Sequence, residues 1–532
     1  RLRHVEPRNS RLAEDLAVHT AGQFLQSLAG VSILPLQSQV RHDVFKFPSV
    51  DWREVRDLRP VAERLVGDHT GDAPGGPLPL IGPGRHQVHF DRHFAPADLP
   101  HGLQLDPASG IITGTVPATA GDYRVTLHAA NSAGQCQKEF TIAVGDTLAL
   151  TPPMGWNSWY IHYARVTEQH LRAAADAMLE SGMADYGYMY VNIDDCWMKK
   201  QGQEPYRDAA GAVLPNEKFP DIKGMVDAIH ARGLRAGTYI SPGPWTCAGY
   251  VGSYQHELAD ARRFAEWGFD FLKYDWCSYE SVATGEGRAR FTRPYQQMGD
   301  ILPTLERDMV FNLCQYGMDR VWEWGGQVGG HCWRTTGDLG NERDQRLPGF
   351  YSIGLSNAQH WEYARPGQWN DPDYILIGWV DSPFDDLEGT PTKLSANEQY
   401  SYMSMWCLMA APLIFSGDME KLDEFTLNVL CNAEVIAIDQ DALGRQARIV
   451  AQDDDQLILA KPLEDGAVAV GLFNLDDLPR AIGVTWSQLE RTGPHRPRDL
   501  WRQVDMAVID GAYEATVPRH GVSLVRLTPV SN

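Results

Sequence analysis

YMYVNIDD (residues 188–195) and DFLKYD (residues 270–275) are short runs of apolar and aromatic residues that each end in a carboxylate. Runs of this length and composition read as buried strands. Six more lie on either side or between: MGWNSW (154–159), RAGTYI (235–240), MVFNLC (309–314), HCWRTT (331–336), QWNDPD (368–373) and PLIFSG (412–417). Helical stretches alternate with them. In HLRAAADAMLESGM, for example, Leu171, Ala174, Ala175, Met178 and Leu179 mark one face. Eight strand–helix units in roughly 250–290 residues predict an α/β fold, a (β/α)8 TIM barrel. A doubly wound sheet fits less well, because no Gly-rich phosphate loop follows any of the strands.

The flanks read differently, and they divide the 532 residues into four parts. Residues 1–75 have no clear fold, and a Pro/Gly-rich break (GDAPGGPLPLIGPG, 71–84) follows. Residues 76–147 read as a small antiparallel β-sandwich, with Tyr123, Val125, Leu127 and Ala129 alternating with polar residues. The barrel is expected over 148–444. LILAK (457–461), AVAVGLFN (467–474), EATV (514–517) and VSLVRL (522–527) predict a C-terminal antiparallel β-sandwich over 445–532.

Charge excludes several functions. With 47 Lys+Arg against 69 Asp+Glu the net charge is −22, and no basic stripe is present. A nucleic-acid partner or an anionic membrane is therefore not expected, and a neutral substrate is. The uncharged run from Gln399 to Gly417 contains Pro412, serines and tyrosines, and reads as a buried helix leading into a buried strand rather than a membrane span. Eight cysteines are too few for a disulfide scaffold, and their spacing matches no zinc pattern.

In a barrel of this kind the working residues stand at the C-terminal ends of the strands. Those positions are heavily acidic here: Asp194, Asp195, Asp275, Asp338, Asp371 and Asp373. Trp156, Trp159, Trp197, Tyr239, Trp276, Trp333 and Trp369 lie nearby. Sugars offer C–H faces to aromatic rings and hydroxyls to carboxylates, so the combination predicts a carbohydrate site. Lys273 and Asp275 share one face of a strand, where the ammonium would hold the carboxylate ionised, as a nucleophile requires. A lysine at such a place could instead form a Schiff base, as in a lyase, although Asp275 beside it favours the protonated amine.

PPMGWNSW, YVNIDDCW, GTYISPGPWTCAG, FLKYDWC, WRTTGD and QWNDPD occur in an order that resembles glycoside hydrolase family 27, the retaining α-galactosidases and α-N-acetylgalactosaminidases. The resemblance spans residues 151 to about 445 and extends more weakly into the C-terminal sandwich. The segment LPHGLQLDPASGIITGT resembles an immunoglobulin-like module found ahead of such enzymes. The resemblance implies that Asp275 is the nucleophile and Asp338 the general acid/base. It implies that Asp194 and Asp195 grip the 4- and 6-hydroxyls, that Lys273 serves the 3- and 4-hydroxyl side, and that Arg334 stands near the 2-position. Trp159, Tyr239 and Asp373 would line the pocket, with a Cys247–Cys277 disulfide beside the nucleophile. Cys314 and Cys332 lie near the positions of a second family disulfide. No metal or organic cofactor is implied.

Where many members carry Cys-Glu-Trp, this chain has Cys314-Gln315-Tyr316-Gly317. Gln315 can still bond a 2-hydroxyl but is not the small residue of the acetamido-sugar branch, which favours galactose. The implied activity is removal of terminal α-linked galactose from oligo- or polysaccharides, with α-N-acetylgalactosaminidase and β-L-arabinopyranosidase as alternatives within the family. A non-catalytic carbohydrate-binding protein is a remote one. An oligosaccharide is the expected partner, assembly into a homo-oligomer stays open, and the disulfide suggests a secreted or periplasmic setting.

Overall fold

The computed structural model describes residues 44–46 and 93–530, apart from 108–109, 132–133, 340–346 and 381–388. Apart from 44–46, the part of the chain read as having no clear fold (1–75) lies outside the described residues.

Eight parallel strands form the central sheet: β1 (Met154–Asn157), β2 (Tyr190–Asn192), β3 (Arg235–Ile240), β4 (Phe271–Asp275), β5 (Val310–Cys314), β6 (Cys332–Arg334), β7 (Trp369–Asp371) and β8 (Leu413–Phe415). They neighbour one another in chain order, with β8 beside β1. The last seam closes one step beyond β7, where Ile375 bridges Phe415 in parallel. Its N–H donates to the Ile414 carbonyl at 2.7 Å, and its carbonyl accepts from Ser416 N at 3.1 Å. The eight sequence-predicted strands are the eight strands of the barrel. On the helix Glu168–Glu180, Leu171, Ala174, Ala175 and Met178 are buried as expected, but Leu179, at the edge of that face, is exposed.

Alternation of side chains along each strand builds the interior in layers. Tyr190, Phe271, Val310, Cys332 and Trp369 form an apolar floor. Two residues further along the same strands stand Asn192, Lys273, Asn312, Arg334 and Asp371, all buried. Two further still come Asp194, Asp275, Cys314 and Asp373. β2, β4 and β7 thus pass from an oily base to a carboxylate at the mouth. Gly237 on β3 belongs to the middle layer because Asn192 fills the space beside it, and a Cβ there would stand 2.0 Å from Asn192 Oδ1.

The long uncharged run folds as expected into the buried helix Ala396–Leu408 followed by β8. Among the described residues no helix is long and apolar enough to cross a membrane. Against this helix packs the C-terminal sandwich, a six-stranded sheet facing a two-stranded one. Its strands Gln456–Pro462 and Val468–Asn474 are buried on both sides. Ile458, Ala460, Val468, Val470 and Leu472 fill the sandwich interior, whereas Leu457, Leu459, Ala469 and Phe473 join the core of the barrel.

The N-terminal sandwich has its own small core, in which Val125, Leu127 and Ala129 alternate inward as predicted while Tyr123 lies half-buried at the rim. Val44–Lys46 adds an edge strand to it, paired antiparallel with Thr141–Ala143.

Candidate active site

Asp275 closes β4, and each of its oxygens is held by a phenol. Tyr316 Oη donates to Oδ1 at 2.6 Å, and Tyr239 Oη donates to Oδ2 at 3.1 Å. Tyr239 comes from β3 and Tyr316 from the loop after β5, the two strands that flank β4. Burial pushes the carboxyl up to about 6; Lys273 and the Tyr316 bond pull it down, and the charges of Asp338 and Asp194 push it up further.

Lys273, one layer below, bonds Asp194 Oδ2 at 2.8 Å rather than Asp275. Its ammonium also stands 5.3 Å over the Tyr239 ring and 5.0 Å over the Tyr374 ring. Burial would lower its pKa, yet Asp194, followed by Tyr374, holds it well above the ordinary lysine value. It is a cation and not the free amine that Schiff-base chemistry needs. Tyr374 Oη donates to the same Asp194 oxygen at 3.0 Å. The neighbouring Asp195 accepts from the N–H groups of Cys196 (2.6 Å) and Ala248 (3.0 Å), but burial lifts it to about 7 in spite of them.

Arg334, at the end of β6, organises the opposite wall. Its Nη2 donates to Asp338 Oδ1 at 3.1 Å and to the Gly337 carbonyl at 2.6 Å, and lies 3.2 Å from Asp373 Oδ2. Burial works against this charge, and Asp373 foremost keeps it well above its ordinary value. The side chain of Asp338 is one-third exposed, whereas Asp275 and Asp373 are buried. Asp373 also accepts from Tyr160 Oη (2.9 Å) and Leu339 N (3.0 Å), which fastens the chain just beyond Asp338. It adopts φ +89°, a left-handed conformation that an aspartate rarely takes. The helix beneath braces it: Trp406 Nε1 donates to its carbonyl at 2.9 Å, and Tyr402 Oη donates to the next one at 2.8 Å.

The arrangement is a pocket with one sequestered carboxylate, a second at its rim whose charge the first feels, and a buried ion pair at its base. Sequence comparison gives the family of the chain. A family profile described as Alpha galactosidase A matches residues 151–441, and one described as Alpha galactosidase C-terminal beta sandwich domain matches 453–527. The chain belongs to the α-galactosidase family, glycoside hydrolase family 27. An Ig domain profile covers 90–145. The family member from Oryza sativa subsp. japonica named alpha-galactosidase is 37% identical over 387 residues, 72% of this chain and 86% of that one. Among solved structures, α-galactosidase I from Mortierella vinacea is 30% identical with a TM-score of 0.64, covering 72% of this chain and 98% of that one. The Saccharomyces cerevisiae α-galactosidase with raffinose is 26% identical with a TM-score of 0.63, over the same shares of the two chains.

Most residues expected at the site of this glycoside hydrolase are brought to the barrel mouth, but not all of them face it. Cys247 and Cys277 form the expected disulfide, with a Cα–Cα distance of 4.9 Å. Cys314 and Cys332 do not: both are free and buried. Asn312 is paired with Cys332, so the two cysteines are two residues out of register on neighbouring strands, a Cα separation of about 8 Å and beyond disulfide reach. Gln315 is fully buried; its Nε2 donates to the Met318 carbonyl at 3.2 Å, while its Oε1 has no hydrogen-bond partner within the protein.

Of the tryptophans near the strand ends, Trp156, Trp197, Trp276, Trp333 and Trp369 are core residues, and only Trp159 stays half-buried at the mouth. Tyr160, Tyr316 and Tyr374 went unpredicted. Each is a phenol bonded to a pocket carboxylate, and the only sequence signal was proximity to the strand ends.

Proposed function

We propose that this family 27 enzyme removes terminal α-linked galactose by double displacement, with Asp275 as nucleophile and Asp338 as general acid/base. The observation that carries the reading is the contrast between the two carboxylates. Asp275 is enclosed between two phenols and aligned by a strand, while Asp338 reaches solvent from a loop anchored to Arg334 and Asp373. In the first step Asp275 attacks the anomeric carbon, the glycosidic bond breaks, and Asp338 gives its proton to the departing oxygen. In the second, Asp338 takes a proton from water, whose oxygen attacks the same carbon, and the Asp275 ester bond breaks. Galactose leaves with its α configuration retained.

Asp194 and Asp195, both buried after β2, are assigned to the 4- and 6-hydroxyls and Lys273 to the 3- and 4-hydroxyl side. Arg334 and Asp373 form the 2-position wall, and Trp159 with Tyr239 provides ring surface. A raffinose-like oligosaccharide is the substrate class this supports. NMR of the first-formed sugar from p-nitrophenyl α-galactopyranoside tests it: α-galactose is expected, and an initial β anomer or no hydrolysis overturns it. The α-N-acetylgalactosaminide and β-L-arabinopyranoside should be poorer substrates.

A further inference from the structure

Tyr316 sits where chain geometry is expensive. It adopts φ +65°, and Gly317 follows at φ +83°. A Cβ on Gly317 would stand 2.2 Å from the Thr335 carbonyl, so the turn is pressed against the end of β6. The result is that a phenol is aimed back across β5 at Asp275 Oδ1, at 2.6 Å. The same oxygen atom rests 3.7 Å and 3.8 Å from the two sulfurs of the Cys247–Cys277 bridge, which leaves the hydroxyl one strong acceptor. Other groups face Asp275 from all sides. Tyr239 lies on β3, Lys273 on its own strand and Asp194 beyond β2, with Cys314 on β5, Tyr295 on the helix behind and Asp338 on the loop after β6. Of these, Tyr239 is the other phenol bonded to the carboxylate, through the longer bond.

We propose that Tyr316 is a positioning residue that fixes the rotamer of Asp275 and keeps it in the anionic form needed for attack. The proposal rests on the assignment of Asp275 as nucleophile. A donor on a carboxylate favours the charged form, and the geometry makes Tyr316 the stronger of the two phenolic donors. The bond also serves the second step, where Asp275 must depart from the sugar as a carboxylate.

The test compares wild type, Tyr316→Phe and Tyr239→Phe, recording kcat/KM for p-nitrophenyl α-galactopyranoside between pH 4 and 8, with circular dichroism as a fold check. The acidic limb of kcat/KM reports the free enzyme's nucleophile. In Tyr316→Phe it should move up by about one pH unit, more than in Tyr239→Phe, and kcat at the optimum should fall about tenfold. An unmoved limb overturns the proposal, whether activity is intact or lowered equally at every pH, because a structural role alone produces either. A wild-type enzyme inactive on the substrate would instead refute the α-galactosidase reading itself.

Discussion

Asp275→Asn tests how far the pocket sacrifices stability for chemistry. The folded carboxyl is raised from 3.8 to about 6, mainly by burial, and at ~1.4 kcal/mol per unit this is a penalty of about 3 kcal/mol once the group is ionised. The sign follows from linkage. Above the folded value the native state carries the whole penalty. Below 3.8 both states are neutral and it vanishes, so wild type gains relative stability as pH falls through 6 towards 4. Asparagine removes the charge and keeps the Tyr316 bond, but it sets an NH2 against Tyr239 Oη, a loss of about 1 kcal/mol. The variant should therefore be more stable by about 2 kcal/mol at pH 7.5, a rise in Tm of about 3 °C for a barrel of this size, with little difference at pH 4.5. Turnover should drop by about four orders of magnitude, since no other group can form the ester. Thermal unfolding at the two pH values, paired with p-nitrophenyl α-galactopyranoside hydrolysis, checks both. An unchanged or lower Tm at pH 7.5, a gain that persists at pH 4.5, or near-normal turnover would refute the reasoning.

The wild-type kcat/KM should fall about tenfold per pH unit below 6, as Asp275 takes up its proton. Lys273→Met leaves Asp194 buried with no cation and should cost about 3–5 kcal/mol by denaturant unfolding, much of it recovered in the Lys273→Met/Asp194→Asn double variant. Phe473→Ala, on a strand shared by two cores, should cost about 3–5 kcal/mol and lower the unfolding of barrel and sandwich together in calorimetry.

The strands were legible as short apolar runs between helical stretches, and three of them, YMYVNIDD, DFLKYD and QWNDPD, end in the acids of the charged mouth. Alternation then placed Lys273 on the same face as Asp275. It failed at Asp373, where a left-handed residue breaks the period of two and swings Tyr374 into the pocket beside Asp194. Tyr316 was hidden for the same reason. Aromatic residues near strand ends look alike in sequence, yet Trp333 gives its N–H to Asn370 and Trp369 to the Ala149 carbonyl, both away from the mouth. The fate of Cys314 and Cys332 depended on strand register, which composition does not carry.

The two-faced strands Gln456–Pro462 and Val468–Asn474 also constrain how this enzyme can be made. A ribosome that has synthesised the barrel alone holds a fold whose flank beside the helix Ala396–Leu408 is still bare. That same helix steadies the backbone of Asp373 and Tyr374. Since Val522–Pro529 pairs with Val468–Phe473 to complete the covering sheet, that flank stays uncovered until the chain through Pro529 has emerged. A stop codon in the sandwich would therefore silence catalysis at a distance, and the nascent barrel would need shielding from aggregation until its late partner arrives.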